Sequence, residues 1–206
     1  MDILQVEHVL QWMEKINTKV QANKDYLTEL DQAIGDGDHG INMSRGFQEV
    51  VKKVSGEDYE SVADVMRDVA MTLMSKIGGA AGPLYGTAFL KLSTTFKDQD
   101  VDCAIFSKGI EDAVKGVKQR GKADVGEKTL VDVWSALAER LSQGDHFDGD
   151  TILETAKDAM ENTKDKLATK GRAAYLKERS VGHLDPGSVS SFYLFEALAE
   201  VINESE

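Results

Sequence analysis

Asp31, Asp36 and Asp38 fall within the stretch Asp31-Gln-Ala-Ile-Gly35-Asp36-Gly37-Asp38-His39-Gly40-Ile41-Asn42-Met43. Two carboxylates about 5 Å apart repel by roughly 3 kcal/mol at an effective dielectric of about 20. Three that converge on one point would cost on the order of 10 kcal/mol. Either they point apart into solvent or a cation sits among them. Carboxylate oxygens suit the hard cations Mg²⁺ and Ca²⁺. Glycines at 35, 37 and 40 let the backbone take positive φ and come close to a ligand.

A calcium loop of the EF-hand type fails on register. Counted from Asp36, position 5 is Gly40, position 6 is Ile41 and position 12 is Phe47, where that loop needs an acid or amide, a glycine and a glutamate. No G-x-x-x-x-G-K-[ST] phosphate loop occurs either. What remains is a carboxylate cluster followed at once by a helix start, whose backbone N–H groups can receive a phosphate. That combination suits a metal-bridged nucleotide. The plain alternative is a solvated polar loop between two helices.

The elements that hold this stretch read as helices. Prolines are only Pro83 and Pro186, and apolar residues recur at helical spacing along the chain. Val6, Val9, Leu10, Met13, Ile16 and Val20 share one face. Further helices are expected over about 25–34, 40–54, 60–77, 84–96, 104–119, 130–141, 151–170 and 189–202, with no confident strand. Short connections favour antiparallel neighbours. With the short second helix set aside, four unusual junctions alternate with plain ones: the aspartate loop, Gly78–Gly86, Gly121–Lys128 and Gly171–Gly187. An up-and-down arrangement puts all four at one rim. The linker 143–149 reads as polar and exposed, and Asp145, Asp148 and Asp150 as solvated residues.

The chain has 206 residues and a formal net charge of −12. One domain, 1–206, is the expectation at this length. The acidic balance argues against nucleic-acid binding, and no apolar run is long enough to span a bilayer. The single cysteine, Cys103, reads as a buried structural thiol and fits a cytoplasmic protein.

These motifs together resemble a known family. Leu30-Asp31-x-x-Ile-Gly-Asp36-x-Asp38-His39-Gly-x-Asn42-Met43, Gly78-Gly79-x-x-Gly82-Pro83-Leu84, Arg120-Gly121-Lys122-Ala123, Lys128-Thr129, Asp132-Val133-Trp134, Gly171-Arg172-Ala173 and Asp185-Pro186-Gly187 resemble the nucleotide-binding L subunits of dihydroxyacetone kinases. The resemblance covers essentially the whole chain. It implies an all-α barrel or bundle of about eight antiparallel helices with the nucleotide at one end. It implies that Asp31, Asp36 and Asp38 hold two Mg²⁺ ions on the phosphates. It places His39, Gly40, Ile41, Asn42, Ala80 and Ala81 along the nucleotide, Gly121 and Leu130 on its adenine side, Arg172 on phosphate, and Asp185, Pro186 and Gly187 closing the site. Many relatives carry a hydroxyl-bearing pair where this chain has Ala80-Ala81, so only backbone N–H groups can donate there.

The charges balance only with metal. ADP brings about three negative charges and the aspartates three more; two Mg²⁺ and Arg172 reduce the sum to about −1. Phosphoryl transfer needs positioning and neutralisation rather than a protein nucleophile, so no catalytic residue is assigned. The family implies two arrangements: a domain fused within an ATP-dependent kinase, or a separate subunit. In the second, ADP/ATP is a tightly bound coenzyme, rephosphorylated by a phosphohistidine on an M subunit and donating to dihydroxyacetone on a K subunit. A length of 206 residues favours the second. A docking role toward a transcription regulator is the rival expectation, and it has no need of the three aspartates.

Overall fold

The computed structural model describes residues 1–205. Among these residues nine α-helices carry the fold: α1 (Val6–Ala22), α2 (Lys24–Ile34), α3 (His39–Val54), α4 (Val62–Lys76), α5 (Ala81–Phe96), α6 (Cys103–Gly121), α7 (Leu130–Leu141), α8 (Gly149–Glu161) and α9 (Pro186–Glu204). A 3₁₀ segment, Arg172–Ser180, lies between α8 and α9. Two two-residue strands, β1 (Ile3–Leu4) and β2 (Val101–Asp102), pair antiparallel, a feature too short for any periodicity to announce.

Side-chain oxygens set the starts of several helices. Ser61 caps α4 by accepting from the Asp64 N–H, and Asp102 caps α6 through Ile105. Thr129 and Asp132 form a reciprocal capping box on α7. Asp148 caps α8, so it is a helix start rather than a freely solvated residue. Asp185 caps α9, with Pro186 in the first turn, where a missing N–H costs nothing.

Packing closes eight of these helices into a ring. In chain order α1, α3, α4, α5, α6, α7, α8 and α9 each lie against the next, and α9 returns to α1. The short α2 sits outside the ring against α3 and α9. Ion pairs from Lys15 and Lys19 of α1 to Glu196, Glu200 and Glu204 of α9 run in opposite sequence directions, which makes that closing pair antiparallel. These pairs are part-exposed and fix register more than they stabilise.

The interior is aromatic. Trp12 lies 5.9 Å from Phe89 and 6.5 Å from Phe106, and Phe106 also meets Phe96 and Phe147. Burying such side chains contributes about 1.5–3 kcal/mol each. The Trp12 indole N–H donates to the Leu194 carbonyl at 2.7 Å, so its polar atom is satisfied inside the barrel. The linker is exposed over 143–146 as expected, but Phe147 is 2% exposed: the loop tucks one aromatic under the barrel end. Cys103 is buried, and desolvation pushes its thiol up, as a structural thiol requires. Among the described residues no helix is long and apolar enough to cross a membrane.

One helix is shorter than its pattern suggests. α8 stops at Glu161 rather than reaching residue 170. Beyond it the carbonyls of Thr163, Lys164 and Lys166 turn toward the Lys128 ammonium and leave the helix ladder.

Candidate functional site

The ring's direction decides what gathers at its mouth. α3, α5, α7 and α9 all begin at one end, and their first residues (His39, Ala81, Leu130 and Pro186) line one cavity of about 450 Å³. Each helix start carries about half a positive charge, shared with side-chain acceptors at α3, α7 and α9 and met by no side-chain cap at α5. Four of them converging make a site for an anion.

The aspartates meet at the edge of this cavity. One oxygen from each of Asp31, Asp36 and Asp38 lies within 4.8 Å of the other two. Asp31 lies in the last turn of α2 and is 9% exposed. Its Oδ2 accepts the N–H groups of Asp38 (2.9 Å) and His39 (3.0 Å). This folds the loop back on itself and leaves Oδ1 for a cation. A Cβ at Gly35 would overlap that carboxylate, and Gly37 has φ +76°, so glycine is needed at both. Asp36 is paired across the mouth with Arg172 at 2.8 Å. This donor set, all carboxylate oxygen, fits Mg²⁺ or Ca²⁺.

Behind the aspartates runs a buried polar chain. His39 Nε2 meets Ser190 Oγ at 2.8 Å. The Tyr85 hydroxyl lies 2.6 Å from Ser190 Oγ and 2.8 Å from Ser191 Oγ, and donates to the Gly187 carbonyl at 3.0 Å. Trp134 Nε1 donates to Ser191 Oγ at 3.0 Å. Burial holds His39 below its ordinary pKa, against the opposing pull of Asp31, Asp38 and Asp36. Burial therefore favours the neutral ring. It staples the start of α3 to the start of α9. At the cap of α9 Asp185 is pushed up to about 7 by desolvation, even though Ser188 hydrogen-bonds its anion.

A second cavity of about 380 Å³ adjoins the first, sharing Ala80, Leu84, Thr129 and Leu130. Pro83, Val117, Leu130 and Val131 line it, an apolar slot of the kind a flat ring fills.

A family model for the DAK2 domain matches residues 33–200. The chain belongs to the DAK2 domain family. A Lactococcus lactis protein named "PTS-dependent dihydroxyacetone kinase, ADP-binding subunit DhaL" is 48% identical over 200 residues, 97% of this chain and 100% of that protein. A Listeria innocua protein named "PEP-dependent dihydroxyacetone kinase 1, ADP-binding subunit DhaL" is 47% identical over 191 residues, 93% of this chain and 94% of its own. The crystal structure of the dihydroxyacetone kinase from C. freundii in complex with AMP-PNP and Mg²⁺ superimposes with a TM-score of 0.76. That match is 21% identical and covers 97% of this chain but 35% of the other. It shows that the two share a fold, the all-α architecture expected from periodicity.

Of the residues singled out in the sequence, this DAK2 chain brings Asp31, Asp36, Asp38, His39, Asn42, Ala80, Ala81, Leu130, Arg172, Asp185, Pro186 and Gly187 to the first cavity. Gly121 lies instead on the apolar slot. Gly40 is buried where α3 crosses α2: a Cβ there would overlap the Lys24 carbonyl and Thr28 Oγ1. Ile41 is 49% exposed. These two do not line the cavity.

Sequence reasoning missed Ser190 and Tyr85 as the support of His39, and the cavity role of Lys170. Serines on an apolar helix carry no spacing signal of their own. Three in α9, Ser188, Ser190 and Ser191, are fully buried, and only packing makes that visible.

Proposed function

We propose that this chain is the nucleotide-holding phosphoryl-transfer subunit of a dihydroxyacetone kinase, acting in the cytoplasm as a single domain. The observation that carries the reading is the convergence of three carboxylates and four helix starts on one cavity. Carboxylates attract cations and helix starts attract anions, and a metal–phosphate complex satisfies both. The match to two relatives named as ADP-binding subunits, over 94% and 100% of their own lengths, supports the separate-subunit arrangement.

Asp31, Asp36 and Asp38 would hold two Mg²⁺ ions, which neutralise phosphate charge. The N–H groups at the starts of α3 and α5, with Asn42, Ala80 and Ala81, would cradle the phosphates. Arg172 would exchange its partner Asp36 for a phosphate oxygen. Leu130 and Gly121 would flank the base in the apolar slot, with His39 setting the angle of α3 and Asp185, Pro186 and Gly187 closing the wall. The nucleotide, as coenzyme, supplies the phosphoryl carrier between a phosphohistidine donor subunit and dihydroxyacetone on a second partner subunit.

Denaturing the purified protein should release close to one equivalent of ADP or ATP, measured by ion-exchange chromatography. Rapid turnover of many equivalents of free ATP with the dihydroxyacetone-binding subunit, and no phosphohistidine donor, would overturn the coenzyme reading.

A further inference from the structure

Lys128 is a charged side chain buried in the wall of the cavity it helps to line. It is 1% exposed, and its backbone takes φ +62°, a left-handed value that side-chain-bearing residues seldom adopt. Its Nζ donates to four backbone carbonyls: Thr163 at 2.7 Å, Lys164 at 3.2 Å, Lys166 at 3.1 Å and His183 at 2.5 Å. None of these acceptors is a carboxylate. An ammonium has three protons, so the four carbonyls share them and no donor is left over. Desolvation draws its pKa down, and the carbonyl dipoles keep a buried cation tolerable.

The four carbonyls come from both feet of one segment, residues 162–185, which joins α8 to α9. The middle of that segment carries Lys170, Gly171 and Arg172 to the cavity, and Arg172 reaches across to Asp36. Little else anchors it. Its apolar contacts are the small cluster of Ile34, Ala168 and Ala173 with Leu176 and Leu184 against the main core, and Tyr175 at its centre is 86% exposed. The feet bind each other through the Gly182 N–H and the Lys164 carbonyl at 2.8 Å. Lys128 ties both to the start of α7; Lys166 with Asp132 at 2.6 Å and Thr169 with Glu127 hold the first foot to the same region.

We propose that Lys128 is the positioning residue that holds segment 162–185 across the cavity, and that its ammonium sets how long a nucleotide stays bound. The proposal rests on reading the cavity as a nucleotide site. It concerns the tether of the segment at the start of α7 and not the carboxylates that the segment reaches through Arg172.

The test uses the intact protein, a fluorescent ADP analogue with Mg²⁺, and a stopped-flow chase with unlabelled ADP. Lys128→Met keeps the length and removes the donors. Release should accelerate on the order of 10- to 100-fold, the usual cost of removing a group that orients ligand contacts from behind, with association changed far less. Lys128→Gly keeps the left-handed backbone and opens the carbonyl cage. Its fast release should slow again on adding ammonium or potassium to a tetramethylammonium buffer, while the unsubstituted protein ignores both ions.

Unchanged release from a natively folded Lys128→Met overturns the proposal and leaves the site reading intact. An unsubstituted protein that binds no ADP analogue overturns both. If the variants fail to fold, amine acylation of the unsubstituted protein, followed by mass spectrometry, decides. Lys128 should label no faster than nucleotide leaves. Rapid labelling with nucleotide still bound refutes the tether.

Discussion

Asp31→Asn tests the metal reading most directly, because the structure sets opposite expectations with and without ligand. The three carboxylate oxygens lie within 4.8 Å of one another. At that separation each pair repels by about 3.5 kcal/mol at an effective dielectric of 20 and about 0.9 in bulk water. The substitution removes two of the three pair repulsions, between about 2 and 7 kcal/mol. Asp36 and Asp38 are exposed, so the lower end applies. Against this, the hydrogen bonds from the Asp38 and His39 N–H groups lose their charged acceptor, a loss of about 1 kcal/mol each.

The two effects nearly cancel. In EDTA the variant should melt within about 4 °C of the parent, on the high side if on either. With Mg²⁺ and ADP the expectation reverses. A ligand at 100 times its Kd stabilises by about 2.7 kcal/mol, or about 5–11 °C for a chain of this length. The parent should show that shift and Asp31→Asn less than about 2 °C of it. Differential scanning fluorimetry across a Mg²⁺ titration, with and without ADP, reads both states. A variant with the full ligand-induced shift, or with full phosphoryl transfer, refutes the idea that these carboxylates hold metal.

Two further outcomes follow from the same geometry. Asp185, pushed up to about 7 in the fold, retains a proton that the unfolded chain releases near pH 4. The folded form thus binds more protons across about pH 4–7, and stability falls as pH rises through that window. Asp185→Asn, whose amide still caps α9, should gain on the parent from pH 5 to 8 in EDTA; parallel melting-temperature profiles would contradict the shift. Gly40→Ala inserts a Cβ into the Lys24 carbonyl and should cost about 1–3 kcal/mol, read as a melting temperature lower by about 2–12 °C.

The helices and the candidate chemistry were legible in the chain alone. Apolar spacing is a local property, so the apolar face of α1 and the aspartate–glycine loop were visible without a fold. The alternation of unusual and plain loops even placed four of them at one rim, because short connections leave little choice of direction.

Whatever is fixed by distant partners was not legible there. Nothing near Lys128 says that carbonyls 35 to 55 residues away will close around its ammonium. That capture is also why α8 ends at Glu161 although its pattern runs on. His39 is tied to the start of α9 only because the fold brings Ser190 beside it, and the close crossing of α2 leaves no room for a Cβ at Gly40. Local periodicity selects elements. Burial, and the pairing of polar groups that burial forces, is decided by what lies across the barrel.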